Sequence, residues 1–368
     1  MRIVSRRPAP LPTGWGIVST GHIARAFAAD LARAQGPDIV AVCSRTLASA
    51  TAFAGEHSGA TRTGKLRSIR PYDDLGEMLA DPAVEMVYVA SLNIAHVEAT
   101  REALQAGKPV LCEKPMALSA GEARELAQLA RARGVFLMEG LWTRHLPAVL
   151  AAKALVDAGA IGKVLEVNGA LHADRPYDPR SRLFDPEQGG GALHDLGVYP
   201  LSLAIQYVGV PDTVEGRWWN SPSGTDGSAE VRLTGNGIEA RVSCGFSPGS
   251  NRFAIRGEHG TLVLDQSLRA KTIMHYRGDE EPPEPSDGLT SIVKEWWASS
   301  AGNARKHDHS FEGNGLRFQA LRMADCLQRG LTECPEAPLD DTIAVLDVID
   351  RLLAQPAAGD HYAANSAK

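Results

Sequence analysis

The sequence has few cysteines, lacks long apolar runs and carries only a small excess of negative charge. Its five cysteines are odd in number and never occur in the spacing C-x-x-C: Cys43, Cys112, Cys244, Cys326 and Cys334. This pattern indicates reduced structural thiols and argues against a disulfide framework or a zinc site. No apolar run approaches the roughly 20 residues that cross a bilayer. The formal charge of −6 is spread along the chain, which argues against nucleic acid or an anionic membrane as the main partner.

The chain is longer than one hydrophobic core usually supports. Single cores stop growing near roughly 250–300 residues, so the 368 residues predict two domains. The first residues, Met1–Gly14, contain Arg6 and Arg7 but no apolar stretch of the kind that a secretory signal needs. We therefore expect a cytoplasmic protein with a flexible N-terminal tail over residues 1–13.

Short apolar runs alternate with helical stretches in the first half of the chain. Five runs rich in β-branched residues are predicted as buried strands: Gly16–Val18, Ile39–Val42, Met86–Val89, Val110–Cys112 and Val135–Met138. A helix is predicted over Ser119–Arg133, where Ser119 and Glu122 form a capping box, and another over Ala95–Ala106. Because parallel strands need crossovers, this order predicts an α/β domain with a doubly wound, Rossmann-type parallel sheet.

The second half has strand signals separated by turns, with few long helical crossovers. The predicted strands are Val164–Ala170, Val214–Trp219, Ala229–Leu233, Ile238–Phe246, Phe253–Ile255 and Thr261–Leu264. Helices are expected near Leu316–Arg329 and Thr342–Leu353, and a polar loop over Asp279–Asp287. We expect an α+β domain with a large, mostly antiparallel open sheet and helices on one face.

A glycine turn follows the first strand. Compared with the dinucleotide fingerprint G-x-G-x-x-G/A, Ser19 takes the first glycine position, Gly21 the second and Ala24 the third. The amides of the helix that starts near His22 would then face the phosphates. The alternative is an ordinary βα turn. The segment to which we assign phosphate binding is Ser19, Thr20, Gly21, His22 and Ile23.

The end of the second strand predicts which dinucleotide binds. An NAD site would place a carboxylate here for the ribose 2′-hydroxyl, but Ile39–Gly55 contains none. Arg45 can hold a 2′-phosphate through charge-assisted bonds, and Ser44 can donate another. These residues predict NADP as the cofactor. The alternative is that Arg45 is a solvated surface arginine.

The segment Glu113-Lys114-Pro115 directly follows a predicted strand. Ligands of such sheets bind at the carboxyl ends of the strands, so Lys114 is expected to point into the cofactor crevice. A lysine before a proline is, as the alternative, only the end of a loop.

A second segment with candidate catalytic residues is Gly189–Pro200. Three glycines at its start allow close approach of a ligand to the backbone. Asp195 and Tyr199 are four residues apart, which puts them on one face of a helix. Pro200 means that this helix is either kinked there or restarts near Tyr199.

These motifs resemble the glucose–fructose oxidoreductase/inositol dehydrogenase (Gfo/Idh/MocA) family from about Trp15 to about Leu353. The segments that carry the resemblance are Ser19-Thr20-Gly21, Glu113-Lys114-Pro115, the glycine-rich Asp195 segment, and Ile255-Arg256-Gly257 leading to Gly260-Thr261. The chain most resembles the branch of dimeric dihydrodiol dehydrogenases and NADP-dependent D-xylose dehydrogenases. The motifs shared with that branch are Trp15–Ile17, Ser19, Phe136–Glu139, Trp142–Arg144 and Tyr199.

The resemblance implies an NADP-binding Rossmann domain over residues 14–138 and a substrate-binding and oligomerisation domain over 139–355. It also implies that Lys114, Asp195 and Tyr199 are the catalytic set. Chemistry agrees, because oxidation of a carbinol requires loss of its hydroxyl proton, and a free tyrosine, with a pKa of about 10, is a poor base. A nearby ammonium group favours the phenolate. Asp195 cannot have that effect, so it orients Lys114 or binds a substrate hydroxyl.

Further residues are predicted around this set. Leu92, Asn93, His96 and Glu113 join the cofactor contacts, with Lys114 as a member of both groups; the alternative for His96 is a histidine satisfied by the backbone. Trp142, Arg144 and His172 join Asp195 and Tyr199 as substrate contacts, and the alternative for Trp142 is interdomain core. His307-Asp308-His309 lacks a third ligand at suitable spacing, so a solvated loop and no metal are predicted.

The expected activity is an NADP-dependent dehydrogenase acting on CH–OH (or CH–CH) donors of a small polyhydroxy substrate, an aldose such as D-xylose or a trans-dihydrodiol. One alternative is an NADPH-dependent reductase of a sugar or keto-inositol, and another is a non-catalytic NADP-binding regulator. No nucleic acid or membrane partner is expected. Trp218 and Trp219 alternate faces on a strand, and an exposed one would fit a homodimer or higher homo-oligomer through the C-terminal sheet.

Overall fold

The structure, a computed structural model, describes residues 12–60, 66–278, 282 and 304–360. Residues 1–11 of the predicted tail and the predicted polar loop, apart from Pro282, lie outside the described residues. The chain divides into two units, the first with residues up to Ala117, Gly121–Trp142 and Gly313–Leu339, the second with Leu118–Ala120, Thr143–Glu312 and Asp340 onward. Gly313–Leu339 thus groups with the first unit, although it lies inside the range predicted for the second domain. The predicted domain boundaries stay predictions.

A parallel sheet forms the centre of the first unit. Its strands lie in the order β5 (Arg70–Tyr72), β2 (Asp38–Cys43), β1 (Gly14–Val18), β6 (Met86–Val89), β7 (Val110–Glu113) and β8 (Leu137–Gly140). The helices of this unit are α1 (His22–Leu31), α2 (Leu47–His57), α3 (Leu75–Ala80), α4 (His96–Gln105), α5 (Ala120–Arg133) and α8 (Arg317–Gln328). A separate antiparallel pair joins β3 (Gly59–Ala60) and β4 (Leu66–Arg67). The predicted doubly wound sheet is confirmed.

Side-chain caps and an aromatic cluster account for several of these elements. The Thr46 hydroxyl accepts a bond from the Ser49 amide at the start of α2, and Asp74 accepts one from the Glu77 amide at the start of α3. Phe27 of α1 packs edge-on against Trp15 and stacks on Tyr88 at a ring separation of 3.9 Å. These rings fix α1 on the sheet strands β1 and β6.

A buried carboxylate joins α1 to the start of α8. Asp30 is 2% exposed and accepts bonds from the amides of Gly315 and Arg317 at 3.2 and 2.9 Å. The Arg317 guanidinium donates to its other oxygen at 3.0 Å. Gly313 has φ +80°, and a Cβ there would lie 2.0 Å from Asp30 Oδ1. Only glycine therefore fits beside this carboxylate.

A larger sheet forms the second unit. Its strands lie in the order β10 (Thr213–Asn220), β11 (Asp226–Gly235), β12 (Ile238–Gly245), β9 (Val164–His172), β13 (Asn251–Gly257), β14 (Gly260–Asp265), β15 (Thr272–Arg277) and β16 (Ala304–Asp308). All neighbours are antiparallel except β9 and β12, which are parallel. The helices are α6 (Pro147–Asp157), α7 (Val198–Val208) and α9 (Leu339–Leu353). The mostly antiparallel sheet is as predicted.

The two faces of this sheet differ in chemistry. A Cβ at Gly169 of β9 would lie 3.1 Å from Pro200, so the odd-numbered residues of β9 face α7. Glu166, on the opposite face, pairs with Arg256 at 2.7 Å and with Arg241 at 3.7 Å. The face away from α7 therefore carries rows of charged side chains.

Some elements of this sheet were not expected from the sequence. No prediction covered β15 or β16, and the predicted solvated loop at His307-Asp308 is wrong because both residues end strand β16. His307 stacks on His275 of β15 with ring centroids 6.1 Å apart. Among the described residues, no group of three histidine, cysteine or acidic side chains could hold a metal ion. No helix in the described parts of the chain is both long and apolar enough to span a membrane.

Replacing Asp30 by asparagine is expected to lower the free energy of unfolding by about 3 kcal/mol, because the partly buried Arg317 guanidinium loses the buried carboxylate that pairs with it. Urea unfolding measures this change. The matched control is Asp347→Asn, which removes one partner of the exposed Arg351–Asp347 pair on α9 and should change stability by less than about 1 kcal/mol. Equal effects of the two substitutions would contradict the prediction.

Candidate active site

The predicted phosphate turn connects β1 to α1 at the carboxyl edge of the first sheet. Ser19 has φ +95°, a conformation that favours glycine and explains why family fingerprints place glycine here. Its amide donates to the Cys43 carbonyl at the end of β2, and its hydroxyl accepts a bond from the Gly21 amide at 3.2 Å. The serine side chain thus stabilises the turn that it occupies.

Gly21 leaves space above the start of α1. Its φ of −69° suits any residue, and a Cβ there would meet only the Ser19 hydroxyl, at 3.5 Å. The protein itself therefore does not require glycine at this position. No side chain caps α1, and Thr20 and Ile23 are partly exposed while His22 is exposed. Open amides with free space above them fit the pyrophosphate of a dinucleotide.

The other predicted cofactor residues of the first unit follow the neighbouring strands at the same edge. Ser44 and Arg45 follow β2, Leu92 and Asn93 follow β6, and Lys114 follows β7. The order of the sheet reverses between β1 and β6, and such a switch point is where α/β sheets bind ligands.

These residues differ in exposure. Arg45 is exposed and forms no ion pair with any residue that the structure describes. Leu92 is 41% exposed, whereas Asn93 is buried in a short 3-10 turn over Asn93–Ala95.

The ring of His96 contacts main-chain oxygens of the first unit. Its ring is 1% exposed, with Nδ1 2.7 Å from the Pro115 carbonyl oxygen and Nε2 3.1 Å from the Ser91 carbonyl oxygen. Both nitrogens face main-chain oxygens, as in the alternative of a histidine satisfied by the backbone. The ring thereby ties the start of α4 to the residue that follows Lys114.

Buried carboxylates fix the loop that carries Lys114. Glu113 is buried, accepts bonds from the Tyr88 hydroxyl and the Lys114 amide, and has a pKa raised by burial. Glu139 of β8 accepts a bond from the Met116 amide at 2.9 Å. The side chain of Glu113 thus supports the loop from the interior, and its predicted contact with the cofactor stays a prediction. Lys114 itself is half-buried.

The segment with Asp195 and Tyr199 resolves the difficulty raised by Pro200. Leu193–Gly197 forms a π-helical turn, and α7 begins at Val198 directly after it. Pro200 lies in the first turn of α7, where its missing amide hydrogen is tolerated. Ala192, Gly197 and Val198 all have right-handed helical backbone angles, so the helix does not restart near Tyr199, and a π-helical turn directly before α7 accommodates Pro200 instead. Tyr199 is 8% exposed.

Two residues that the sequence analysis missed bond to this segment. Arg182 Nη2 lies 3.5 Å from Asp195 Oδ1, and Asp226 accepts a bond from the Leu193 amide at 2.6 Å. Neither residue belongs to a motif with a fixed spacing to its partner, so sequence alone offers no signal for either.

Arg144 has a different environment from the one predicted. It is 1% exposed, with Nη1 2.6 Å from Asp341 Oδ2 and Nη2 bonded to the Ser202 carbonyl oxygen on α7. The prediction that it binds substrate is corrected, because both terminal nitrogens are engaged inside the second unit. Trp142, predicted as a substrate wall or as core, is 6% exposed.

His172 lies on the wrong side of its sheet for the predicted role. It has the same strand parity as Asn168 and Ala170, and its Nε2 is 3.1 Å from the hydroxyl of Ser243. These residues form the face away from α7. The prediction that His172 lines a pocket with Tyr199 is therefore corrected.

Comparison with known proteins agrees with this geometry. A model of the oxidoreductase family with an NAD-binding Rossmann fold (Gfo/Idh/MocA) matches residues 13–141, and the model of the Gfo/Idh/MocA C-terminal domain matches residues 149–263. The trans-1,2-dihydrobenzene-1,2-diol dehydrogenase of Bos taurus is 30% identical over 346 residues, covering 92% of this chain and 95% of the relative. The human enzyme of the same name is 28% identical over 349 residues, covering 92% of this chain and 95% of its own.

Solved structures share the fold. A 3-ketoreductase from Actinomadura kijaniata, in complex with NADP and TDP-benzene, superposes with a TM-score of 0.73 at 21% identity, covering 95% of this chain and 99% of its own. An aldose-aldose oxidoreductase from Caulobacter crescentus superposes with a TM-score of 0.75 at 23% identity, covering 92% and 96%. Together with the family models, these likenesses confirm what the motifs indicated: this chain belongs to the Gfo/Idh/MocA family of oxidoreductases.

Proposed function

We propose that the protein is an NADP-dependent oxidoreductase that transfers hydride between the nicotinamide and a carbinol carbon of a small polyhydroxy substrate. The substrate class is a trans-dihydrodiol or an aldose such as D-xylose. The observation that carries the proposal is the carboxyl edge of the first-unit sheet, where an open glycine turn, an exposed arginine and a lysine follow strands β1, β2 and β7. Two relatives whose sequences align with this chain over 95% of their length are named trans-1,2-dihydrobenzene-1,2-diol dehydrogenase, which supports the proposal.

The residues around the open edge fit NADP rather than NAD. When bound, this cofactor supplies the hydride acceptor or donor at its nicotinamide. The Gly21 turn would receive the pyrophosphate, and the exposed Arg45 with Ser44 would bind the 2′-phosphate through charge-assisted bonds. A carboxylate at the same place would repel that phosphate, and Ile39–Gly55 has none.

Lys114, Asp195 and Tyr199 are the proposed catalytic set. Tyr199 takes the hydroxyl proton of the carbinol as hydride leaves its carbon, and returns a proton in the reverse reaction. Lys114 supplies the positive charge that favours the phenolate and binds the substrate oxygen. Asp195, held by Arg182, binds a neighbouring substrate hydroxyl or orients the lysine.

Replacing Tyr199 by phenylalanine is expected to lower kcat at least about a hundredfold, because it removes the proton acceptor. The assay follows NADP reduction with trans-1,2-dihydrobenzene-1,2-diol, D-xylose and inositols, and a fluorescence titration checks that NADPH still binds. Tyr207→Phe is the matched control: Tyr207 lies on the same helix, stacked on Phe253, and burial raises its pKa. Full activity of Tyr199→Phe would remove this residue from the mechanism, and tight NADP binding without turnover of any compound would favour a regulator.

Replacing Arg45 by alanine is expected to lower kcat/KM for NADP about 10- to 100-fold while leaving kcat/KM for NAD unchanged, since one charged hydrogen-bonding partner of the 2′-phosphate is lost. Arg124→Ala, at an exposed arginine of α5, is the control and should change neither value. A wild-type preference for NAD, or an undiminished NADP preference in Arg45→Ala, would show the cofactor assignment to be wrong.

We also propose that the charged face of the second-unit sheet joins two copies of the chain. Its strands carry Arg217, Glu230, Arg232 and Arg241 in alternation around a concavity of about 730 Å³. Trp219 lies on the same face under the Arg217 guanidinium, 5.1 Å away, and Trp218 lies on the other face. Alternating charges allow one copy of a face to pair with another, as a two-fold interface requires.

Light scattering at low micromolar concentration should therefore report a dimer or a higher oligomer for the wild type. Arg232→Glu combined with Arg241→Glu should shift it toward the monomer by placing like charges together. The control is Arg124→Glu, outside this face. A wild type that is monomeric, or a double variant that stays associated, would contradict the proposed interface.

A further inference from the structure

Asp226 is a buried carboxylate for which the proposed chemistry has no direct use. It begins strand β11, is 3% exposed, and faces the turn that starts the π-helical segment before α7. No cation pairs with it among the residues that the structure describes. A carboxylate is expensive to bury without an opposite charge, so its environment must offer strong hydrogen bonds.

The main chain of Gly191–Leu193 supplies those bonds. The Leu193 amide donates to Asp226 Oδ2 at 2.6 Å, and the Ala192 amide also donates to this carboxylate. Gly191 has φ +122°, and a Cβ there would lie 2.0 Å from Oδ1. The carboxylate thus contacts three successive residues, and only glycine can take the position closest to it.

The carboxyl group of Asp226 offers the turn two acceptor oxygens. It accepts bonds from the Leu193 and Ala192 amides, and an asparagine there would have one acceptor oxygen in place of two. The start of a helical segment also carries a partial positive charge, which lowers the cost of ionising Asp226 without offsetting the cost of its burial. Asp226 therefore fixes where the segment begins, two residues before Asp195 and six before Tyr199.

We infer that Asp226 is a positioning residue that holds the Asp195–Tyr199 segment in its reactive place. This inference rests on the proposed function, since it assigns Asp226 an effect on turnover that passes through Tyr199. A group that acts in this way changes kcat through the placement of another side chain, and displacements of about 1 Å can slow an enzyme a hundredfold.

Burial raises the pKa of Asp226 to about 7, against the bonds from the Leu193 and Ala192 amides, which lower it. The titratable side chain that interacts with it is the Cys244 thiol on β12, whose own pKa is raised by burial and which stays neutral. Because the folded pKa lies above the ordinary value of 3.8, folding is favoured below that value and this contribution is lost as the pH rises toward 7. Ionised Asp226 at pH 8 therefore costs stability, so a benefit to turnover would be separate from any benefit to folding.

The test replaces Asp226 by asparagine and measures kcat at pH 8 with the best compound of the substrate panel. We expect kcat to fall about tenfold or more, with NADPH affinity within twofold of the wild type. Hydrogen exchange should be faster in peptides that cover residues 191–199 and unchanged in the first unit. In Gly191→Ala the new Cβ would displace the Asp226 carboxylate, so this variant should show the same loss of kcat and the same faster exchange over residues 191–199.

Asp30→Asn is the matched control, because Asp30 is also a buried carboxylate that binds helix-start amides beside a glycine of positive φ. It should lose stability and keep its kcat. An Asp226→Asn variant whose kcat stays within twofold of the wild type, or whose 191–199 peptides exchange at the wild-type rate, would overturn the inference.

A double variant separates this inference from the proposed function. If Asp226 acts through Tyr199, Asp226→Asn adds little further loss of kcat to Tyr199→Phe. Full additivity of the two losses would overturn the role of Asp226 and leave that of Tyr199 intact. A Tyr199→Phe enzyme that stays active would instead refute the proposed function. If Asp226→Asn then lowered kcat by the same factor in the Tyr199→Phe enzyme as in the wild type, action through Tyr199 would also be refuted.

Discussion

Main-chain amides at the start of a buried helical segment need acceptors, and each unit of this protein meets that need with a buried carboxylate. Asp30 binds amides at the start of α8, and Asp226 binds amides at the start of the π-helical turn. In both places a glycine of positive φ lies against the carboxylate, where any side chain would collide with it. The difference is charge: Asp30 pairs with Arg317, whereas Asp226 pairs with no cation in the described part of the chain, and burial raises the pKa of Asp226.

The parts of the fold that local patterns encode were predictable from the sequence. The alternation of apolar runs and helices predicted the parallel sheet, because each strand and helix signal lies within a few residues. The turn at Ser19–Gly21 and the lysine after β7 could likewise be found, since their chemistry depends on a motif and on its place at a strand end. The turn at Ser19 even keeps the backbone conformation of the glycine that it replaces.

The parts that depend on distant contacts were not predictable. Which face His172 occupies follows from the register of β9 against β12, and whether Arg144 is buried follows from the packing of α7 and α9. The bond between Asp226 and the Leu193 amide was not predictable for the same reason, since the two residues are 33 positions apart in the sequence. Strands β15 and β16 were not predicted, because their charged and histidine residues lack the alternation of polar and apolar residues that is typical of a half-buried strand.

Strand β9 occupies an interior position in its sheet, between β12 and β13, although it is the first strand of that sheet to leave the ribosome. Glu166 pairs in register with Glu239, so one edge of β9 stays without its partner until more than seventy further residues have been made. Such long sequence separation slows folding and leaves a strand edge open to other chains during synthesis. The α7 segment is made in that interval, so the residues proposed for chemistry exist before the sheet that supports them is complete. Assembly of this half of the molecule is therefore the stage most exposed to misfolding.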